Sequence, residues 1–160
     1  MPSRTLRIIS FNIFYALRHA RLARSVFARF RELNPDVICL QEVLIGKKRN
    51  FARDLADALD MHIAFSLQGE YGKRQIGLAV LSRGAVEENT AVMLPRSPIR
   101  RRIMQIVQLT HRGIPWRIAN THLSVASSAV RKVQISAVLD ALNGRPAPTP
   151  LVLAGDFNTK

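Results

Sequence analysis

The feature that most constrains this chain is the length of its apolar runs. Strand-length stretches recur along it: "LRIISFNIF", "VICL", "HIAFSL", "IGLAVLS", "VEENTAVML", "IMQIVQLT", "WRIANTHL" and "LVLAG". They are separated by Gly, Pro and basic residues, the usual punctuation of strands. Three other segments place apolar residues at helical spacing instead. Strands and amphipathic helices mixed in this way predict an α/β chain, and a layered sheet packed by helices is the natural way to bury both.

The helical segments can be placed individually. "HARLARSVFARFREL" puts Leu22, Val26, Phe27, Phe30 and Leu33 on one stripe, with Arg21, Arg24, Arg29 and Arg31 mostly off it. "NPD" then ends the helix, because proline disfavours helical geometry in the residue before it. "VICL" (37–40) follows as a short continuous apolar run, and "LRIISFNIF" precedes it; both read as strands buried on both faces. Strand, helix and strand with short links make a crossover unit. A second helix is expected over Lys48 to Leu59, where Phe51, Leu55 and Leu59 repeat every four residues. "HRGIP" (111–115) reads as a hairpin connection. A third helix is expected from about Ser127 to Leu142, with Val130, Gln134, Val138 and Leu142 in register, before "GRPAPTP" leads into a final buried strand, "LVLAG".

Length and composition set the frame for function. One hundred and sixty residues, 48% of them hydrophobic, amount to one globular domain, residues 1–160. No apolar run approaches the length of a membrane span, and the opening "MPSRTLRIISFNIF" reads as a strand rather than a signal peptide. Cys39 is the only cysteine, which rules out an internal disulfide and fits a reducing cytoplasm. With 24 Lys and Arg against 11 Asp and Glu, the net charge is +13, a field that attracts nucleic acid, phosphorylated metabolites or anionic lipid surfaces. The arginines are scattered, with local clusters only at "KKR" (47–49) and "RRR" (100–102).

Four strand-like runs end in polar residues: the first in Asn12, the second in Gln41 and Glu42, "WRIAN" in Thr121 and His122, and the last in Asp156 and Asn158. Strand ends are where sheet folds gather ligand-binding groups. Glu42, Asp156 and the amide oxygen of Asn12 are the hard oxygen donors that Mg²⁺ or Mn²⁺ takes. An imidazole such as His122 is better suited to a phosphate oxygen than to magnesium. Together these groups predict metal-assisted phosphoryl hydrolysis. One cysteine is too few for a structural zinc site, and neither a "GxxxxGK[ST]" phosphate loop nor a "GxSxG" elbow is present.

"SFNIFY" (10–15), "ICLQEV" (38–43), "GLAVLSR" (77–83), "IANTHLS" (118–124), "RKVQ" (131–134) and "LAGDFN" (153–158) occur in an order and spacing that resembles the endonuclease/exonuclease/phosphatase superfamily. The resemblance implies a layered β-sandwich flanked by helices, the fold of deoxyribonuclease I. It implies that Asn12, Glu42 and Asp156 help hold a divalent metal, Mg²⁺ or Mn²⁺. His122 would contact the scissile phosphate, Asp156 would orient or activate the attacking water, and Asn158 would position the nucleophile or a phosphate oxygen. Leu78 departs from the pattern, since many members carry Asn after that glycine.

Members of the superfamily continue past "GDFN" to a late Asp-His pair, whereas the histidines here are at 19, 62, 111 and 122. The resemblance therefore implies a domain lacking its C-terminal part and catalytically incomplete as these 160 residues. A phosphodiester is the expected substrate; the charge favours nucleic acid slightly over a lipid or small molecule. The alternative is a non-catalytic basic module that binds nucleic acid or anionic surfaces.

Overall fold

Alternate residues of a strand face opposite ways, so a strand apolar throughout must be covered on both sides. The computed structural model describes residues 5–14, 20–47, 50–95, 100–144 and 148–159, and it shows what the covers are. In β2 (Val37–Ile45), Ile38 and Leu40 pack beneath two helices, while Val37 and Cys39 face a second sheet. The helices are α1 (Ala20–Leu33) and α2 (Phe51–Leu59). The first sheet has strand order β1-β2-β4-β3, with β1 at Ile8–Asn12, β3 at His62–Tyr71 and β4 at Arg74–Ser82. The second has order β5-β6-β7-β8, over Ala85–Met93, Ile103–His111, Ile114–His122 and Leu151–Asp156. Helix α3 (Ser128–Asn143) covers its outer face through Val138 and Leu142, packed with Met104, Ile106 and Ala119. The result is a four-layer α/β/β/α sandwich, as the sequence predicts.

Both parallel pairs in this fold matter for the site. β1 runs parallel to β2, and β7 runs parallel to β8. Each pair is joined through a helix, as parallel strands require. The remaining neighbours are antiparallel, and the β6–β7 hairpin turns at Arg112 and Gly113, both at positive φ, as the tight twisted turn demands. That is the turn expected from "HRGIP".

The helices follow local chemistry. Asn50 caps α2 by accepting from the Arg53 amide at 3.1 Å, and Ser127 caps α3 by accepting from Val130 at 3.2 Å. Gln134, fully buried on the inner stripe of α3, is satisfied at both ends: Oε1 accepts from Ser124 N and Nε2 donates to Pro95 O.

Four expectations need correction. β1 and β8 are each the edge strand of their sheet, so both are half-buried rather than buried on both faces. Leu22 is 42% exposed, because α1 seats Ala23, Val26, Phe27 and Phe30 on the sheet and turns Leu22 aside. β3 runs on to Tyr71 and turns back at Gly72; a bulge between Leu67 and Gly69 breaks the alternation that would have marked the extra length as strand. His19, Tyr15, Lys48, Arg49 and residues 145–147 of the proline-rich link, which the sequence reading used, lie outside the described residues. Among the described residues no helix is long and apolar enough to cross a membrane.

Candidate functional site

A parallel pair in each sheet ends at the same end of the sandwich, and this gathers the polar strand ends. Asn12 closes β1, His122 closes β7 and Asp156 closes β8. Glu42 arrives differently: β2 runs on to Ile45, so Glu42 lies within the strand and not at the end expected from "VICL". β2 carries an extra residue between Leu40 and Val43, and Glu42 takes φ +56°, a left-handed conformation that costs a non-glycine residue roughly 1–2 kcal/mol. The bulge re-aims the carboxylate toward the ends of β1 and β7. Backbone strain at a polar residue inside a strand clusters at functional sites.

The side chains converge across a long stretch of sequence. Asn12 Nδ2 donates to Asp156 Oδ2 at 3.1 Å, from 144 residues away, and lies 3.4 Å from Glu42 Oε1. His122 places Nε2 3.6 Å from Asp156 Oδ2 and Nδ1 3.9 Å from Glu42 Oε1, close but longer than hydrogen bonds. Asn158, at φ +52°, gives its backbone N–H to Asp156 Oδ1 at 3.1 Å and its Nδ2 to Leu123 O at 2.8 Å. All five expected residues therefore belong to one cluster.

Asp156 reaches this position because Gly155 lets it. A methyl group on Gly155 would stand 2.1 Å from Thr121 O. Only glycine allows β8 to lie this close to β7, with Asp156 level with His122 in the register.

Beneath the cluster the two sheets are tied by a buried amide pair. Gln41 Nε2 donates to Asn120 Oδ1 at 2.8 Å, and Asn120 Nδ2 donates to Leu40 O and Ala79 O at 3.0 and 3.2 Å. Asn120 was not singled out in the sequence, where it reads only as the polar end of "IAN". Leu78 is fully buried near it on β4, where its apolar side chain offers no hydrogen bond.

Burial governs the electrostatics. Loss of solvent, reinforced by the charge on Arg102 and Arg100 and opposed by Asp156, pushes the His122 imidazole down to about 4, so it is neutral at pH 7. Arg102, absent from the sequence-predicted set except as part of "RRR", is only 6% exposed; burial lowers its pKa, while Glu42 and Asp156 favour its charged form.

The donor set suits a hard cation. Glu42 and Asp156 present carboxylate oxygens on either side of the Asn12 amide. Asn12 points its nitrogen at them, and its Oδ1 accepts from Phe14 N at 3.1 Å. Among the described residues no three His, Cys, Asp or Glu side chains form a metal-holding group. Mg²⁺ commonly takes one or two carboxylates and fills its shell with water, so the two carboxylates fit it better than they fit zinc, while the Asn12 amide, expected to offer its oxygen, instead turns its nitrogen toward them.

Two sheets packed face to face, helices outside and this acid–amide–imidazole cluster at the parallel strand ends define a deoxyribonuclease I-like phosphoesterase fold. The chain belongs to the endonuclease/exonuclease/phosphatase family, whose model matches residues 9–160. Solved structures agree on the fold. TDP2 from D. rerio, complexed with single strand DNA product, superposes with a TM-score of 0.79 at 23% identity, covering 99% of this chain and 62% of that one. A family protein from Leptotrichia buccalis C-1013-b gives 0.78 at 18% identity, covering 97% and 69%. The human Nocturnin catalytic domain with bound sulfate anion gives 0.76 at 20% identity, covering 97% and 64%. The chain thus spans about two thirds of the length of these relatives. No curated protein sequence matches it significantly.

Proposed function

We propose that this protein is a divalent-metal-dependent phosphoesterase that cleaves phosphodiesters, with nucleic acid its favoured substrate. The observation that carries the reading is the convergence of Asn12, Glu42, His122, Asp156 and Asn158, from the ends of β1, β7 and β8 and the bulge within β2, onto one cluster. Glu42 and Asp156 would hold Mg²⁺ or Mn²⁺, and Asn12 would join them with its amide turned so that Oδ1 faces the cation. A cation bound there supplies charge neutralisation and polarises the phosphoester.

The chain's own groups have separable tasks. The neutral His122 ring donates an N–H to a phosphate oxygen without adding a mobile charge to the buried site. Asp156, fixed by Asn158 N and Asn12 Nδ2, orients the attacking water. Asn158, fixed by its bond to Leu123 O, positions the nucleophile or a phosphate oxygen. The net charge of +13 supports nucleic acid, as does the DNA bound to the TDP2 neighbour. Buried, free Cys39 accords with a cytoplasmic setting.

Residues 1–160 by themselves are expected to turn over negligibly. Among the described residues no second imidazole joins the cluster, for His62 and His111 sit at the far ends of β3 and β6. General acid–base groups contribute roughly 10²–10⁴-fold, which such a site forgoes. The test is Mn²⁺ binding by calorimetry alongside cleavage of DNA, RNA, sphingomyelin and a chromogenic phosphodiester. Mn²⁺ binding abolished by Glu42→Gln and by Asp156→Asn is the expected result; metal binding indifferent to both overturns the metal assignment. Robust Mg²⁺-dependent turnover lost in Glu42→Ala would overturn the incompleteness. EDTA-insensitive, salt-sensitive DNA binding with no metal uptake would favour the basic binding module instead.

A further inference from the structure

A buried arginine whose Nε has no hydrogen-bond partner among the described residues is the least expected feature of the molecule. Arg102 immediately precedes β6, and its carbonyl accepts from Leu94 N at 2.9 Å. Met104 pairs with Thr121, so the antiparallel register carries Arg102 past the end of β7, on the same rim as His122. Its side chain is 6% exposed, and its Nε has no hydrogen-bond partner. No ion pair of its guanidinium occurs among the described residues: Glu42 and Asp156 are engaged by Asn12 and flank His122 instead. Removing a guanidinium from water is costly unless something compensates, and an unsatisfied buried donor calls for an explanation.

A second arginine stands beside it. Arg100 lies 4.7 Å over the Tyr71 ring, and Tyr71 meets Phe14 edge-on at 5.9 Å. Phe14 N is in turn held by Asn12 Oδ1. The rim of the site is thus built from an aromatic pair that fixes one arginine and leaves another buried below it. Arg100 disfavours the charge on Arg102, and both disfavour protonation of His122. The cluster accordingly has two poles: carboxylates on β2 and β8, and guanidiniums on the segment leading into β6. A phosphate group beside the guanidiniums would satisfy that pole, since the planar guanidinium fork matches phosphate oxygens.

We propose that Arg102 is a phosphate-anchoring residue of this site, its guanidinium donating to a non-bridging oxygen of the substrate, with Arg100 at the rim as the outer phosphate contact. This rests on the phosphoesterase reading for its substrate but stands on its own as an anion site. Arg102 takes the oxygens that do not react, and so it acts by holding the ester while the carboxylate side does the chemistry.

The probe is inorganic phosphate in Mg²⁺ buffer. In the wild-type protein, the ¹⁵N–¹H resonance of Arg102 Nε shifts on titration with phosphate. Arg102→Gln weakens phosphate binding by about 10- to 100-fold, the loss of a hydrogen bond to a charged group. Arg102→Lys falls between, keeping the charge without the fork. An unmoved Nε resonance, or equal phosphate affinity in wild type and Arg102→Gln, overturns the proposal; should the variant not fold, the wild-type titration decides alone. Hydrolysis with KM and kcat unchanged in Arg102→Gln would also overturn it, leaving the phosphoesterase reading intact. Phosphate binding that depends on Arg102 in a protein that cleaves no ester in any length of the chain would do the reverse.

Discussion

Replacing Gly155 with alanine tests whether the approach of β8 to β7 sets the site. Gly155 adopts φ +152°, and its added methyl would stand 2.1 Å from Thr121 O and 2.9 Å from Thr121 C and N. Carbon and oxygen in ordinary contact lie more than 1 Å farther apart, near 3.5 Å. The obstruction is backbone in a paired strand, so rotating a side chain cannot relieve it. β8 pairs with β7 alone, and relief means opening the last rungs, Thr121–Gly155 and His122–Asp156. Two or three ladder bonds at about 1 kcal/mol each, plus roughly 1–2 kcal/mol for the disfavoured φ, total about 3–5 kcal/mol. With an m-value of about 2 kcal/mol/M, the urea midpoint falls by roughly 2 M. The same displacement carries Asp156 away from Asn12 and His122, so Mn²⁺ affinity drops with it. A midpoint within about 0.3 M of wild type, with Mn²⁺ binding intact, would refute the steric argument.

Asn120→Leu removes the acceptor of Gln41 and the donors to Leu40 O and Ala79 O; a loss of about 2–4 kcal/mol in urea unfolding is expected, and a double-mutant cycle with Gln41→Leu should show strong coupling. Cys39, fully buried with its thiol pushed up to about 12 by desolvation, should resist thiol reagents at pH 8 until the protein unfolds; rapid labelling of the native state contradicts its place between the sheets. His122 makes stability depend on pH. Its pKa is about 4 in the folded state against 6.5 as the ordinary value, so the unfolded chain binds the extra proton between them. Stability in EDTA should hold above about pH 6.5 and fall toward pH 4, by about 3 kcal/mol in all, and His122→Gln should flatten that slope.

The layers were legible because burial writes itself into local pattern. "VICL" is apolar on both faces because α1 and α2 cover one and the second sheet covers the other. The amphipathic stripe of α3 likewise names its buried side, Gln134, Val138 and Leu142. Edge position was not legible in the same way: "LRIISFNIF" and "LVLAG" look like central strands, and only strand order leaves β1 and β8 half-buried.

The sequence by itself determined the alternation of strands and helices, the residue types at the strand ends, and through its motifs the family. Each of those is set by neighbours a few residues apart. Tertiary structure alone decided that Asn12 meets Asp156 across 144 residues, that a bulge at Glu42 turns its carboxylate inward, and that Gln41 finds Asn120 between the sheets. It alone showed Arg102 buried with its Nε unsatisfied among the described residues, since in sequence an arginine beside two others reads as a solvated charge. Contacts between sheets depend on register and strand order, which no local spacing encodes, and desolvation exists only once the layers have closed.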